Sequence, residues 1–110
     1  MLPSKDRLSF REVEEIFEKG ERRAAPLLSL IFLPSKDRTA FGVTVSKKVA
    51  QNAVDRNKIR RRIYSALSKI KKYDMRAHAV FLPKKESTRA SFSILEKEVK
   101  ALLVRANILK

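Results

Sequence analysis

The run Arg56-Asn57-Lys58-Ile59-Arg60-Arg61-Arg62, preceded by Lys47 and Lys48, concentrates the residues with the clearest chemistry. A guanidinium fork bonds two phosphate oxygens at once, so a rigid helix carrying several of them suits phosphates strung along a folded strand. Asn57 adds a donor and an acceptor, enough to bridge a neighbouring arginine, the backbone or a ribose hydroxyl. At 100° per residue, Ile59, Ile63 and Ile70 point inward. Asn57, Arg60, Arg61 and Tyr64 then form one exposed flank, and Lys58, Arg62 and Lys69 the other. Residues 47–72 hold ten basic side chains against the single acid Asp55. A basic face that is merely solvated is the competing reading, and the shortage of acids to pair with these bases weighs against it.

Chemistry that breaks a phosphodiester has no comparable residues. Two-metal hydrolysis needs clustered carboxylates, and the sequence has no D-x-D or H-x-D cluster. Glu12, Glu14, Glu15 and Glu18 suggest a metal site at first sight, but acids at a helix start paired with nearby Arg and Lys account for them more simply. His78 is the only histidine and stands without a sequence partner, which favours a structural or surface role. No catalytic residue and no metal ligand is assigned, so the chain is expected to bind while catalysis lies elsewhere.

The composition agrees. The chain has 110 residues and a formal charge of +14, with 44% hydrophobic and 35% charged residues. That is enough apolar matter for a core, and the charged share exceeds the roughly 25% of an ordinary domain. A single domain over 1–110 and polyanionic partners, nucleic acid first among them, follow. The absence of cysteine excludes disulfides, thiolate zinc sites and a cysteine nucleophile. No run approaches the roughly 20 apolar residues of a membrane span. The opening Met1-Leu2-Pro3-Ser4-Lys5-Asp6 lacks the apolar core of a signal peptide. A soluble, cytoplasmic protein with no membrane partner and no obligate protein partner is expected.

The elements that must position the basic run are legible in part. Ser9 and Glu12 have capping-box spacing, Leu8 and Val13 can staple the helix start, and Gly20 ends it. Val13, Ile16 and Phe17 share a face, with Phe10 a turn earlier; Phe17 stands open between core filling and base stacking, and Phe10 leans to core. Leu27–Leu33 reads as a buried strand and Thr39–Val45 as a half-buried one, joined as a hairpin through residues 34–38. A second helix is expected over 53–72 with Asn52 as N-cap and Asp55 three residues on. A strand over 77–82 and a helix starting at Ser91 or Ser93 complete an α+β sandwich, with helical cover needed on one face of the sheet. Leu2-Pro3-Ser4-Lys5-Asp6-Arg7 recurs as Leu33-Pro34-Ser35-Lys36-Asp37-Arg38. The flanks share no pattern, so a polar turn used twice is the reading.

Arg56-Asn57-Lys58-Ile59-Arg60-Arg61 resembles the Arg-Asn-Arg-x-Lys-Arg motif of the protein subunit of bacterial ribonuclease P. As in that family, it follows a strand ending Val43-Thr44-Val45-Ser46-Lys47-Lys48. The opening Arg7-Leu8 and the segment Ile16-Phe17-Glu18-Lys19-Gly20 also match, so the resemblance spans nearly the whole chain. It implies a single-domain α-β-β-β-α-β-α sandwich with a left-handed β-α-β crossover, as in the second domain of a ribosomal small-subunit protein. It implies assistance to a catalytic RNA that removes the 5′ leader of precursor tRNA, with Mg²⁺ held mainly by the RNA. By position, Lys47, Lys48, Asn52, Arg56, Asn57, Lys58, Arg60 and Arg61 would face the RNA subunit. Phe17, Thr44 and Ser46, with Val13, would line the leader cleft between the first helix and the sheet. Four positions depart from the family: Lys58 replaces an arginine, Tyr64 a basic residue, and Val13 and Ile31 aromatics. A ribosomal protein or general RNA chaperone of similar fold is the alternative from another class. A DNA-binding helix-turn-helix is weaker, because the basic helix lacks a partner helix at short-turn spacing.

Overall fold

A computed structural model describes residues 3–109. Helix α1 (Phe10–Lys19) leads into strands β1 (Glu21–Ala24), β2 (Leu28–Pro34) and β3 (Ala40–Val43). Helix α2 (Ala53–Ser68), strand β4 (Ala77–Pro83) and helix α3 (Phe92–Arg105) follow, with short 3-10 turns at Ser4–Asp6 and Lys85–Arg89. This is the order that the resemblance implied. One mixed sheet runs β1-β2-β4-β3, with β2 antiparallel to β1 and β4, and β3 parallel to β4. The expected β2–β3 hairpin is therefore wrong: β4 lies between the two strands, and the loop over 34–38 bridges across it. Strand β1, Glu-Arg-Arg-Ala, pairs with β2 in spite of its polar sequence.

The sheet is covered on both faces, not one. Leu28, Leu30, Phe32, Phe41, Val43, Ala77, Ala79 and Phe81 pack against Ile59, Ile63 and Leu67 of α2 and Leu95, Val99, Leu102 and Leu103 of α3. On the opposite face Ile31 and Val80 pack under Ile16 of α1, flanked by Leu8, Val13, Leu33 and Leu82. Strands β2 and β4 are near-continuous apolar runs because both sides are buried.

Each helix is bounded by an identifiable cause. Ser9 and Glu12 form the reciprocal capping box of α1, with bonds of 2.8 and 3.2 Å. Gly20 keeps φ at −76°, so its role is space: a Cβ there would lie 2.5 Å from Ile31 and 2.6 Å from the Ile16 carbonyl. Helix α2 stops at Ser68, short of the expected residue 72. The Tyr73 hydroxyl takes the Leu67 carbonyl at 3.3 Å, and Ile70 and Tyr73 turn in against the core. Ser91 is the N-cap of α3, accepting from the Ile94 amide at 3.3 Å. Past its end, Asn107 adopts φ 62°, and this left-handed residue turns Ile108 fully inside.

The two similar turns differ in form. Pro3–Asp6 belongs to a 3-10 turn, whereas Ser35 and Asp37 bond each other through their side chains. They nonetheless meet, through Arg38 Nε donating to the Lys5 carbonyl at 3.0 Å. Leu2, the first residue of the repeat, lies outside the described residues.

Candidate nucleic-acid interface

The connection from β3 to α2 builds the basic surface. Thr44 continues the ladder by one bond, its amide donating to the Phe81 carbonyl at 3.0 Å. Val45 is buried while Thr44 and Ser46 are exposed, so alternation persists past the strand end and sends Thr44 and Ser46 away from the α2 side. The Ser46 carbonyl then accepts from the Val49 and Ala50 amides at 3.1 and 3.3 Å, closing a turn that projects Lys47 and Lys48 into solvent. Asn52 stands at the N-cap position as expected, but its side chain makes no cap bond and donates to Asp55 at 3.4 Å instead.

Arg56 is placed differently from the other arginines. Its Nη1 donates to the carbonyls of Ala50 and Gln51, at 3.0 and 2.7 Å, tying the lysine turn to the helix. Arg60 Nη1 donates to Asn57 Oδ1 at 2.7 Å, which aims that guanidinium along the exposed flank. Arg61 and Lys58 are exposed, and Arg62 reaches the Ala90 carbonyl at 3.4 Å. The two flanks read from helical geometry both exist. Asn57, Arg60, Arg61 and Tyr64 line one hollow; Lys58, Arg62 and Lys69 line another, with Arg61 on the crest between them. In that second hollow Lys69 Nζ sits 4.8 Å from the Phe92 ring centre.

Two residues of the first hollow were not among the sequence candidates. Arg7 arrives through a bridge that sets it in parallel register with Phe41, and its guanidinium lies 5.2 Å over the Tyr64 ring. Val54 lines the same hollow and is 74% exposed. Burial pushes the Tyr64 hydroxyl pKa up, and the Arg7 charge pulls the other way, so the ring remains a neutral phenol. Helical periodicity alone put Tyr64 on this flank; Arg7 is brought there by long-range pairing.

The second candidate surface lies over the other sheet face. Val13 is half-buried and faces β3, where a Cβ on Gly42 would stand 3.3 Å from it. Phe17 is 38% exposed and Phe10 79% exposed, so Phe10 is not a core residue. Residues 10, 13 and 17 fall on one edge of α1, giving that helix an apolar margin. The opposite edge is fixed electrostatically. Arg38 clasps the Glu12 carboxylate with bonds of 3.1 and 3.0 Å. His78 contacts Ser35 Oγ at 3.2 Å and stands 3.9 Å from Glu12. The Arg38 bonds and the Ser9 amide hold the Glu12 carboxyl down at about 2. Glu12 thus serves a cap and a clamp, as expected for an acid at a helix start. Among the described residues no group of three or more His, Asp or Glu is placed to hold a metal ion.

No described helix is long and apolar enough to cross a membrane. The chain matches the Ribonuclease P family over residues 2–107. It is 34% identical over 111 residues to the ribonuclease P protein component of Rickettsia prowazekii, covering 92% of this chain and 91% of that one. It is 29% identical over 110 residues to that of a Picosynechococcus species, covering 97% and 95%. Its fold superposes on the RNase P protein of Staphylococcus aureus with a TM-score of 0.84, at 21% identity, over 96% of this chain and 98% of that one. For the Thermotoga maritima protein the values are 0.81, 24%, 90% and 96%. Matched along nearly its whole length in sequence and in fold, the chain belongs to the ribonuclease P protein component family, whose role is the 5′ processing of tRNA.

Proposed function

We propose that this chain, in the cytoplasm, docks on the catalytic RNA of ribonuclease P through the α2 flanks and the Lys47–Lys48 turn, and holds the 5′ leader of precursor tRNA along the α1 margin. The observation that carries the first half is the convergence of Lys47, Lys48, Asn52, Arg56, Asn57, Lys58, Arg60 and Arg61 on one end of the molecule. Arg56 bonds brace that array, and the only acid within it, Asp55, is engaged by Asn52. The second half is supported by Val13, Phe17, Thr44 and Ser46, which offer apolar and hydroxyl contacts to a single strand and no base-reading carboxylate.

Cleavage is assigned to the RNA, with the protein as auxiliary. The Mg²⁺ of the reaction belongs with the RNA subunit, since the described residues of this chain offer no acid cluster that fits it. A protein of charge +14 screens the repulsion between two polyanions that must approach, which lowers the demand for divalent cation. Reconstitution tests this. The purified protein alone should leave precursor tRNA intact, and adding it to the RNA subunit should restore cleavage at low Mg²⁺. Unchanged cleavage at low Mg²⁺ in the mixture refutes the assignment, and so does cleavage by the protein alone.

A further inference from the structure

The hollow beside α2 contains more than phosphate ligands. Arg7, Arg60 and Arg61 supply three guanidinium groups, Asn57 an amide, and Tyr64 and Val54 an apolar floor. An array that served only phosphates would have little use for an isopropyl group left 74% exposed among arginines. An aromatic ring carrying a guanidinium 5.2 Å above it is equally out of place there. A nucleotide has both characters: a charged phosphate, and a base whose faces are apolar and polarisable. The hollow measures about 560 Å³, within the range of small-molecule sites.

We propose that this hollow takes one unpaired nucleotide of the RNA subunit, its base against Val54 and the Arg7 guanidinium that the Tyr64 ring carries, and its phosphate between Arg60 and Arg61. Asn57, already bonded to Arg60 at 2.7 Å, keeps an amide donor for the ribose or the base edge. Arg7 is pre-positioned over Tyr64, so binding does not have to order it. This rests on the proposed docking of α2 on the RNA subunit and adds to it a base contact that a phosphate-only surface lacks.

The test uses the full chain, the RNA subunit transcript and a salt series. Val54→Ser, at an exposed site where folding is not at stake, should weaken binding about 3- to 10-fold with an unchanged salt slope, since apolar contact and not charge is lost. Tyr64→Ala should cost about 5- to 100-fold, and Tyr64→Phe should restore most of it. Base-directed chemical probing should find at least one unpaired base of the RNA protected by the parent protein and reactive again with Val54→Ser. Parent-like affinity for Val54→Ser, or no base protected by the parent, overturns the nucleotide pocket while leaving RNA docking intact. Failure of the parent protein to bind the transcript at all overturns the docking itself.

Discussion

Two side chains of α1 show how surroundings set the work a residue does. Phe17, at 38% exposure, keeps part of its ring open to solvent on the apolar margin of α1. Phe17→Ala should weaken binding of leader-bearing precursor about 5- to 100-fold while sparing mature tRNA; equal losses on both substrates in a binding titration would make Phe17 a packing residue. Glu12 lies on the other edge of the same helix. Its carboxyl falls from the ordinary 4.5 to about 2, chiefly through the Arg38 hydrogen bonds. The folded state therefore favours the charged form. Its contribution is complete above about pH 4.5 and is lost as pH falls towards 2. Glu12→Gln should cost about 1 kcal/mol at pH 7, solvent screening keeping the value small, and the deficit should shrink steadily below pH 4.5, with most of it gone by about pH 2 in urea titrations. A deficit that stays the same at both pH values would contradict the clamp. The capping box was legible in the sequence because it is local. The Arg38 partner, 26 residues away, was not.

At the scale of elements, what could be read was whatever depends on neighbours in the chain. The start of α1 and the stripe Ile59-Ile63-Leu67 follow from spacing alone, whereas spacing left both Ser91 and Ser93 open as the cap of α3 and the structure takes Ser91. The hairpin expected over residues 34–38 failed because loop length says nothing about a strand inserted later, and β4 pairs with both flanking strands. Strand β1 carried no alternation to find, since its pairing is set by β2. The α2 region makes a prediction of its own. Arg61 is exposed, whereas Arg56 bonds the Ala50 and Gln51 carbonyls. Arg61→Ala should lower the salt slope of RNA binding by about one unit. Arg56→Ala should lower it by more, because freeing the turn also disorders Lys47 and Lys48. Equal slopes for the two variants would show that the bracing is dispensable.

The whole molecule is a four-stranded sheet with helices on both sides, and its two chemical surfaces sit over opposite faces of it. The α1 side has a small core of Ile16, Ile31 and Val80; the α2–α3 side has the larger one. Both share the strands β2 and β4, so they should unfold together. Ile16→Ala should lower stability by about 2–5 kcal/mol with a single thermal transition retained, and two separated transitions in calorimetry would refute the coupling. The burial of both faces was recoverable from the apolar runs 28–33 and 77–82. Single-face cover was expected from the one-sheet α+β element order, and α1 overturns it by packing Ile16 on Ile31 and Val80.

The Ser46–Ala50 turn joins Thr44, at the end of β3, to the basic helix α2. Braced by the Ser46 and Arg56 bonds, it behaves as a short rigid spacer. On the proposed function, a strand laid along one side would be held at a set offset from the RNA on the other, and the protein would act as a gauge for where the cut falls.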